Sequence, residues 1–374
     1  MDIPKFLHHH GISDNPFGAE EARHDPVFER LTTRDGRSHP ELVKILGSID
    51  RPQSSVVFGE KGSGKTALRL MMGRDIVRYN EAHPEAKTLI VAYDDFNPLL
   101  DVVARNRSRG PRASRNPDRV VASFRLEDHQ DAILGGAVTK LVDALLGEHK
   151  NPESLKLPAH ATEKLAGLPR QTRVDIAVLA SLYDTPRGGG NILDRWKRLR
   201  RKLRLGLRLP FSLLKVFALA LTILAVGFFL APYAKEYFKL ESAAVPDWSL
   251  PVSGTFAAIA IFCWIVHFWS RMRLWRLCRR IHRAAPAVDR TLFQLERMLK
   301  TIRSSDRVFQ PWPRPGGDAT NARYELTRKL LDVLAEFGYT GMIVLVDRVD
   351  EPTMVAGRPE RMRALVWPML DSKF

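Results

Sequence analysis

Ser54-Ser55-Val56-Val57-Phe58-Gly59-Glu60-Lys61-Gly62-Ser63-Gly64-Lys65-Thr66 joins a short apolar run to a glycine-rich loop. Residues 59–66 match G-x-x-x-x-G-K-[ST] at every required position, and the run before them carries no charge. A triphosphate packs negative charge into a small volume. Backbone amides can surround it only where side chains stay clear, and Gly59, Gly62 and Gly64 allow that approach and the positive φ it needs. Lys65 supplies a point charge, Thr66 a hydroxyl for Mg²⁺, and the helix that follows aims its N-terminal amides at the phosphates. The predicted nucleotide-binding set is therefore Gly59, Glu60, Lys61, Gly62, Ser63, Gly64, Lys65 and Thr66, with ATP and Mg²⁺ as cofactors. Residues 54–58 read as a buried strand, and Ala67, Leu68, Met71, Met72 and Ile76 have helical spacing over 66–80.

A second motif completes the first. Met342-Ile343-Val344-Leu345-Val346-Asp347-Arg348-Val349-Asp350-Glu351 is an apolar strand ending in an acid. Beside a P-loop strand it would bring Asp347 to the C-terminal edge of the sheet, near the metal. Asp347 and Thr66 are the predicted metal ligands. Asp350 and Glu351 are the predicted catalytic acids that orient or deprotonate water, because Arg348 stands directly after Asp347. Residues 88–93 read as another strand, ending in Asp94-Asp95, which could help place Mg²⁺ or water, and residues 120–126 as a third. Residues 101–119 read as irregular, with Asn116-Pro117 as a breaker.

Charge locates a different feature. The chain has 374 residues and a formal net charge of +16. Residues 195–208 carry eight basic residues and no acid, and residues 271–283 carry six arginines and no acid. Between them, residues 216–234 and 248–270 contain no charged side chain. Each covers about 30 Å as a helix, the thickness of a bilayer's hydrocarbon. Tyr233, Tyr237, Phe238, Trp248, Trp264 and Trp269 cluster at the ends, as aromatics do at a membrane interface. The connecting residues 235–247 hold two lysines against three acids, so the basic flanks predict both ends on the cytoplasmic side of the inner membrane. Cys263 and Cys278 fit neither a disulfide framework nor a metal spacing. The Arg105–Arg119 stretch has no interleaved aromatic, which disfavours nucleic acid as a partner.

A P-loop, an insertion with paired apolar helices and then an Asp-x-x-Asp strand resemble, in that order, the KAP family of P-loop NTPases. Asn15-Pro16-Phe17 in the lead-in is similar to the start of AAA ATPases of secretion and transposition systems. The KAP strand motif typically reads Asp-Asp-Leu-Asp-Arg; here it is Asp347-Arg348-Val349-Asp350-Glu351. The resemblance implies a three-layer α/β P-loop domain with a mainly parallel sheet, interrupted by a two-helix transmembrane hairpin. Four segments are expected: a lead-in, 1–50; the first part of the domain, 51–192; a basic-flanked hairpin, 193–283, with spans about 212–234 and 249–270; and the second part, 284–374, truncated at its C-terminus. The expected function is a membrane-anchored ATPase that drives or gates a conformational or assembly change. A nucleotide-gated scaffold with little hydrolysis and a nucleic-acid-dependent ATPase are the alternatives. Nucleotide, the lipid bilayer and other copies of the chain are the expected partners.

Overall fold

The computed structural model describes residues 3–370 apart from 13–14, 16–18, 20–21, 26–27, 30–39, 50, 61, 108–115, 149–154, 159–164, 187–190, 206–210, 238–247, 316–318 and 350. In chain order the elements are α1 (Ile3–His9), α2 (Pro40–Leu46), β1 (Gly47–Ser48), β2 (Arg51–Pro52), α3 (Lys65–Ala82) and β3 (Lys87–Tyr93). Next come α4 (Asn97–Arg107), α5 (Pro117–Ala122), α6 (Leu126–Leu146), α7 (Arg170–Tyr183) and α8 (Ile192–Lys202). The long helices α9 (Phe211–Tyr237) and α10 (Ser249–Ala284) follow. The chain closes with α11 (Leu292–Leu299), α12 (Ser304–Val308), α13 (Ala319–Ala335), β4 (Tyr339–Val346) and α14 (Pro359–Leu370).

The predicted three-layer α/β domain with a mainly parallel sheet is not what forms. The described residues build a predominantly helical body around one parallel ladder, seven-residue β3 against eight-residue β4. Two misread segments account for the difference. Residues 54–58 form no strand: Val56 and Val57 are exposed and Phe58 is 90 % exposed. Residues 120–126 are not a strand either. Asn116 accepts from the Asp118 amide and caps α5, with Pro117 in the first turn, so a supposed breaker is a helix start. Residues 101–107, read as irregular, are helical in α4. A short apolar run alone cannot tell a buried strand from a buried helix. Here the apolar residues go into helices, and α7 is buried continuously from Val174 to Tyr183.

Alternation along β3 assigns its two faces. Leu89 and Val91 join the main core with α6, α7, α13, α11 and the lower part of α10. Ile90 turns the other way, to Met72 and Ile76 of α3 and Leu42 and Leu46 of α2. A third cluster, with Phe96, Leu100, Val121 and Leu365, lies beyond the C-terminal end of β3. Because β3 precedes the long helices and β4 follows them, the body draws on both sides of the insertion.

Leu213–Ala234 and Ser249–Ala284 are long and apolar enough to cross a membrane. A core helix would be mostly buried, whereas only 17 % and 22 % of their most apolar stretches are. They pack through Ala218, Leu221, Ala260 and Cys263, with Leu214 and Phe256 against them. Ser253 Oγ donates to Ala225 O at 2.9 Å across it. The second helix does not stop where its charge begins. It runs 36 residues, about 54 Å, and its Leu274, Cys278 and Ile281 enter the core of the body.

Candidate functional site

Residues 59–60 and 62–64 form an exposed loop that leads into α3; Lys61 lies outside the described residues. Gly62 and Gly64 have φ of +88° and +86°, a region L side chains rarely adopt. Gly64 is the N-cap of α3, and Lys65 and Thr66 occupy its first turn. The Ser63 amide donates to Glu60 O at 3.1 Å, tightening the loop. A Cβ on Gly59 would stand 2.3 Å from Ser63 Oγ. Lys65 Nζ donates to Gly59 O and Glu60 O, both at 2.7 Å, so its cation is held against the loop it closes.

The ladder sets the opposing wall. Tyr93 pairs with Val346 at its end, so Asp94 and Asp347 emerge side by side at one edge. The Asp347 amide donates to Tyr93 O at 3.2 Å. Between the two acids lies Arg69, one turn along α3 from Lys65 and Thr66. Its Nη2 is 3.1 Å from Asp94 Oδ2 and its Nε 3.1 Å from Asp347 Oδ2. The Nε contact is ionic, and neither atom takes part in an aligned hydrogen bond. Arg69 was not legible as a functional residue. The signal was there: it occupies the buried face of α3 with Met72, Gly73 and Ile76, a place where an arginine needs an internal acid.

Arg348 adopts φ +56°, and its amide donates to Asp347 Oδ1 at 2.9 Å. Its guanidinium lies 3.4 Å from Glu351 Oε2. Glu351 is thus paired within its own turn, and Asp350 lies outside the described residues. Asp95 Oδ1 accepts from the Asn97 amide at 3.1 Å, a local turn contact.

Behind the site stands a residue that the motifs did not point to. His129 of α6 is buried among Tyr93, Phe96 and Phe124. Its Nε2 is 2.9 Å from Leu365 O, and a carbonyl can only accept, so Nε2 carries the proton. Nδ1 then accepts from Tyr93 Oη at 2.8 Å. Burial pushes the imidazole down to about 4, so the ring is neutral near pH 7.

No group of three or more His, Cys, Asp or Glu placed to hold a metal occurs among the described residues. The donors that flank α3's first turns, the Thr66 hydroxyl and the Asp347 and Asp94 carboxylates, are all oxygen, the chemistry Mg²⁺ takes. They fit the ion on that ground, and Arg69, which contacts both acids, would compete with it. The arginine-rich stretch is in part structural: Arg105 lies 3.3 Å from Asp289 and Arg107 2.9 Å from Asp128, while Arg109, Arg112 and Arg115 are outside the described residues. Comparison with known protein families, with curated proteins and with solved structures finds no match.

Proposed function

We propose that this chain is a membrane-anchored, ATP-binding P-loop NTPase, KAP-like or of a related AAA/STAND class. The observation that carries the reading is the convergence on α3. A glycine loop with two left-handed positions opens the helix, and Arg69 of that helix meets both acids at the ladder's edge. The reading rests on this site and on the order of elements, not on a broad sheet. Loop amides and Lys65 would hold the phosphates; Thr66 and Asp347 would hold Mg²⁺, which when bound neutralises phosphate charge. Exclusion of side chains at Gly59, Gly62 and Gly64 lets the backbone approach the anion.

The hairpin α9–α10 spans the membrane, and the basic flanks hold the body at the cytoplasmic face. Because α10 is continuous from span to core, a shift of the body moves the hairpin with it. Nucleotide-driven change in shape or assembly at the membrane is the activity this linkage suits. The paired state of Glu351 favours a second reading, a nucleotide-gated switch with slow hydrolysis. Single-turnover hydrolysis by wild type and Glu351→Gln separates the two: rapid wild-type turnover that the variant loses supports the ATPase, and slow turnover in both supports the switch. Asp347→Asn removes the Mg²⁺ dependence of ATP binding; unchanged Mg²⁺ dependence contradicts the site. Reporter fusions at residue 242 and at the C-terminus report opposite sides of the membrane, and same-side signals refute the hairpin.

A further inference from the structure

The excess positive charge of the two basic flanks is not all equivalent once the fold is known. Along α8, Arg195 is buried and tied to Asp143, Glu148 and Asp184. Lys197 pairs with Asp194 at 2.7 Å and Arg198 with Glu148 at 2.8 Å. Trp196, Leu199 and Leu203 anchor this segment in the core. That leaves Arg200, Arg201 and Arg204 without a side-chain partner among the described residues, with Arg201 and Arg204 exposed.

The same sorting applies to α10. Leu274, Cys278 and Ile281 are its buried face. Arg273, Arg276, Arg280 and Arg283 recur at alternating three- and four-residue steps, so they form one stripe on the other side, and all four are exposed. The Arg273 guanidinium lies over the Trp269 ring at 5.2 Å and that of Arg279 over Trp275 at 5.0 Å. Arg276, Arg280 and Arg283 have no partner among the described residues. Several arginines of the body are instead neutralised internally, as at Arg69, Arg107, Arg195 and Arg323. What distinguishes the α10 stripe is its place: it continues an apolar, tryptophan-bordered helix, where an anionic surface would meet it.

We propose that these arginines form a binding surface for anionic phospholipid headgroups, built from the α10 stripe and the end of α8. The inference rests on the membrane reading of the hairpin. Distance along the helix ranks the residues. Counting from Ser270, the last uncharged residue of the span, Arg273 is about 4–5 Å out, Arg276 about 9 Å, Arg280 about 15 Å and Arg283 about 20 Å. The headgroup layer is about 5–7 Å deep and the screening length about 8 Å. Together they reach about 14 Å. Arg273 and Arg276 fall inside that reach, Arg280 at its limit and Arg283 beyond it. Charge complementarity and continuity with the apolar span favour lipid over a nucleic acid or an acidic protein, neither of which would care about depth.

The test uses the full chain in dodecyl maltoside, with phosphatidylglycerol or phosphatidylcholine added and binding read by native mass spectrometry. Wild type binds phosphatidylglycerol at least about tenfold more tightly than phosphatidylcholine. Arg276→Gln weakens phosphatidylglycerol about fivefold, and Arg283→Gln by less than about twofold. Both sites are exposed, and unchanged melting curves verify folding. Equal binding of the two lipids overturns the proposal. So does an equal loss from the two variants, or displacement of phosphatidylglycerol by a DNA oligonucleotide at matching concentration. Alkaline extraction of membranes keeps the two readings apart. Extraction of wild type refutes the membrane reading; retention without a phosphatidylglycerol preference refutes only the arginine surface.

Discussion

Arg69 Nε lies 3.1 Å from Asp347 Oδ2, and the same guanidinium reaches Asp94 at 3.1 Å. The contact joins α3, which opens at the P-loop, to the edge of the ladder. It also places a fixed cation beside Asp347, the proposed Mg²⁺ ligand, and two opposite predictions follow from that. Arg69→Ala leaves two partly buried carboxylates facing each other and destabilises the body by about 2 kcal/mol. It also removes a competing positive charge, so less Mg²⁺ is needed to support ATP binding. Chemical unfolding in neutral detergent reads the first effect and a Mg²⁺ titration the second. An Arg69→Ala, Asp347→Asn cycle is non-additive by about 1 kcal/mol or more. A higher Mg²⁺ requirement in Arg69→Ala contradicts the competition.

Gly59 is constrained by proximity rather than by φ. A Cβ there meets Ser63 Oγ at 2.3 Å and Ser63 Cβ at 3.2 Å. Rotation of the hydroxyl relieves only the first contact. Gly59→Ala is expected to reshape the loop and weaken ATP binding at least about tenfold, or about 1.4 kcal/mol. Adding Ser63→Gly removes both contacts and restores part of the loss, as isothermal titration would show.

Asp131 and Arg323 form a buried bidentate pair at 2.9 and 2.7 Å. Tyr183 donates to Asp131 at 2.8 Å, and Arg323 also donates to Ala284 O at the end of α10. The pair therefore fastens α6, α7, α13 and the long helix to one another. Asp131→Ala strands a buried guanidinium and costs about 3–5 kcal/mol. Unfolding midpoints measure it, and a loss below about 1 kcal/mol would show that the pair is replaceable.

His129 gives the body a pH dependence of known sign. Its folded pKa, about 4, is below the unfolded value, so the unfolded chain takes up the proton first on acidification. The stability from the neutral ring is complete above about pH 6.5 and is lost as pH falls toward 4. Asp131 works oppositely, because burial pushes it up to about 6 despite Arg323. The cost of His129→Gln isolates the histidine. That cost is about 2 kcal/mol smaller at pH 5 than at pH 7, and an equal cost at both pH values would contradict a neutral buried ring.

Part of the secondary structure was legible because it is local. The helical spacing over residues 66–80 lies within Lys65–Ala82, and the strand read at residues 342–346 lies within Tyr339–Val346. The parallel sheet was overestimated because a strand needs neighbours that its own residues do not specify. Val56, Val57 and Phe58 are apolar yet exposed, and Val120 and Val121 are apolar yet helical. The glycine loop and Asp347 were readable from a contiguous motif. Arg69 was not, since its partners lie 25 and 278 positions away. Likewise, the buried spacing of Leu274, Cys278 and Ile281 was hidden among six arginines.

Nucleotide is proposed to bind at the loop that opens α3, where Lys65 Nζ lies 2.7 Å from Gly59 O and from Glu60 O. Equilibrium binding of Mg²⁺·ATP to the full chain in neutral detergent, wild type against Lys65→Ala, tests it most directly. Saturable binding by wild type, weakened at least about a hundredfold in the variant, or about 2.7 kcal/mol, is the predicted result. Equal binding by the two proteins, or none by wild type, would contradict it.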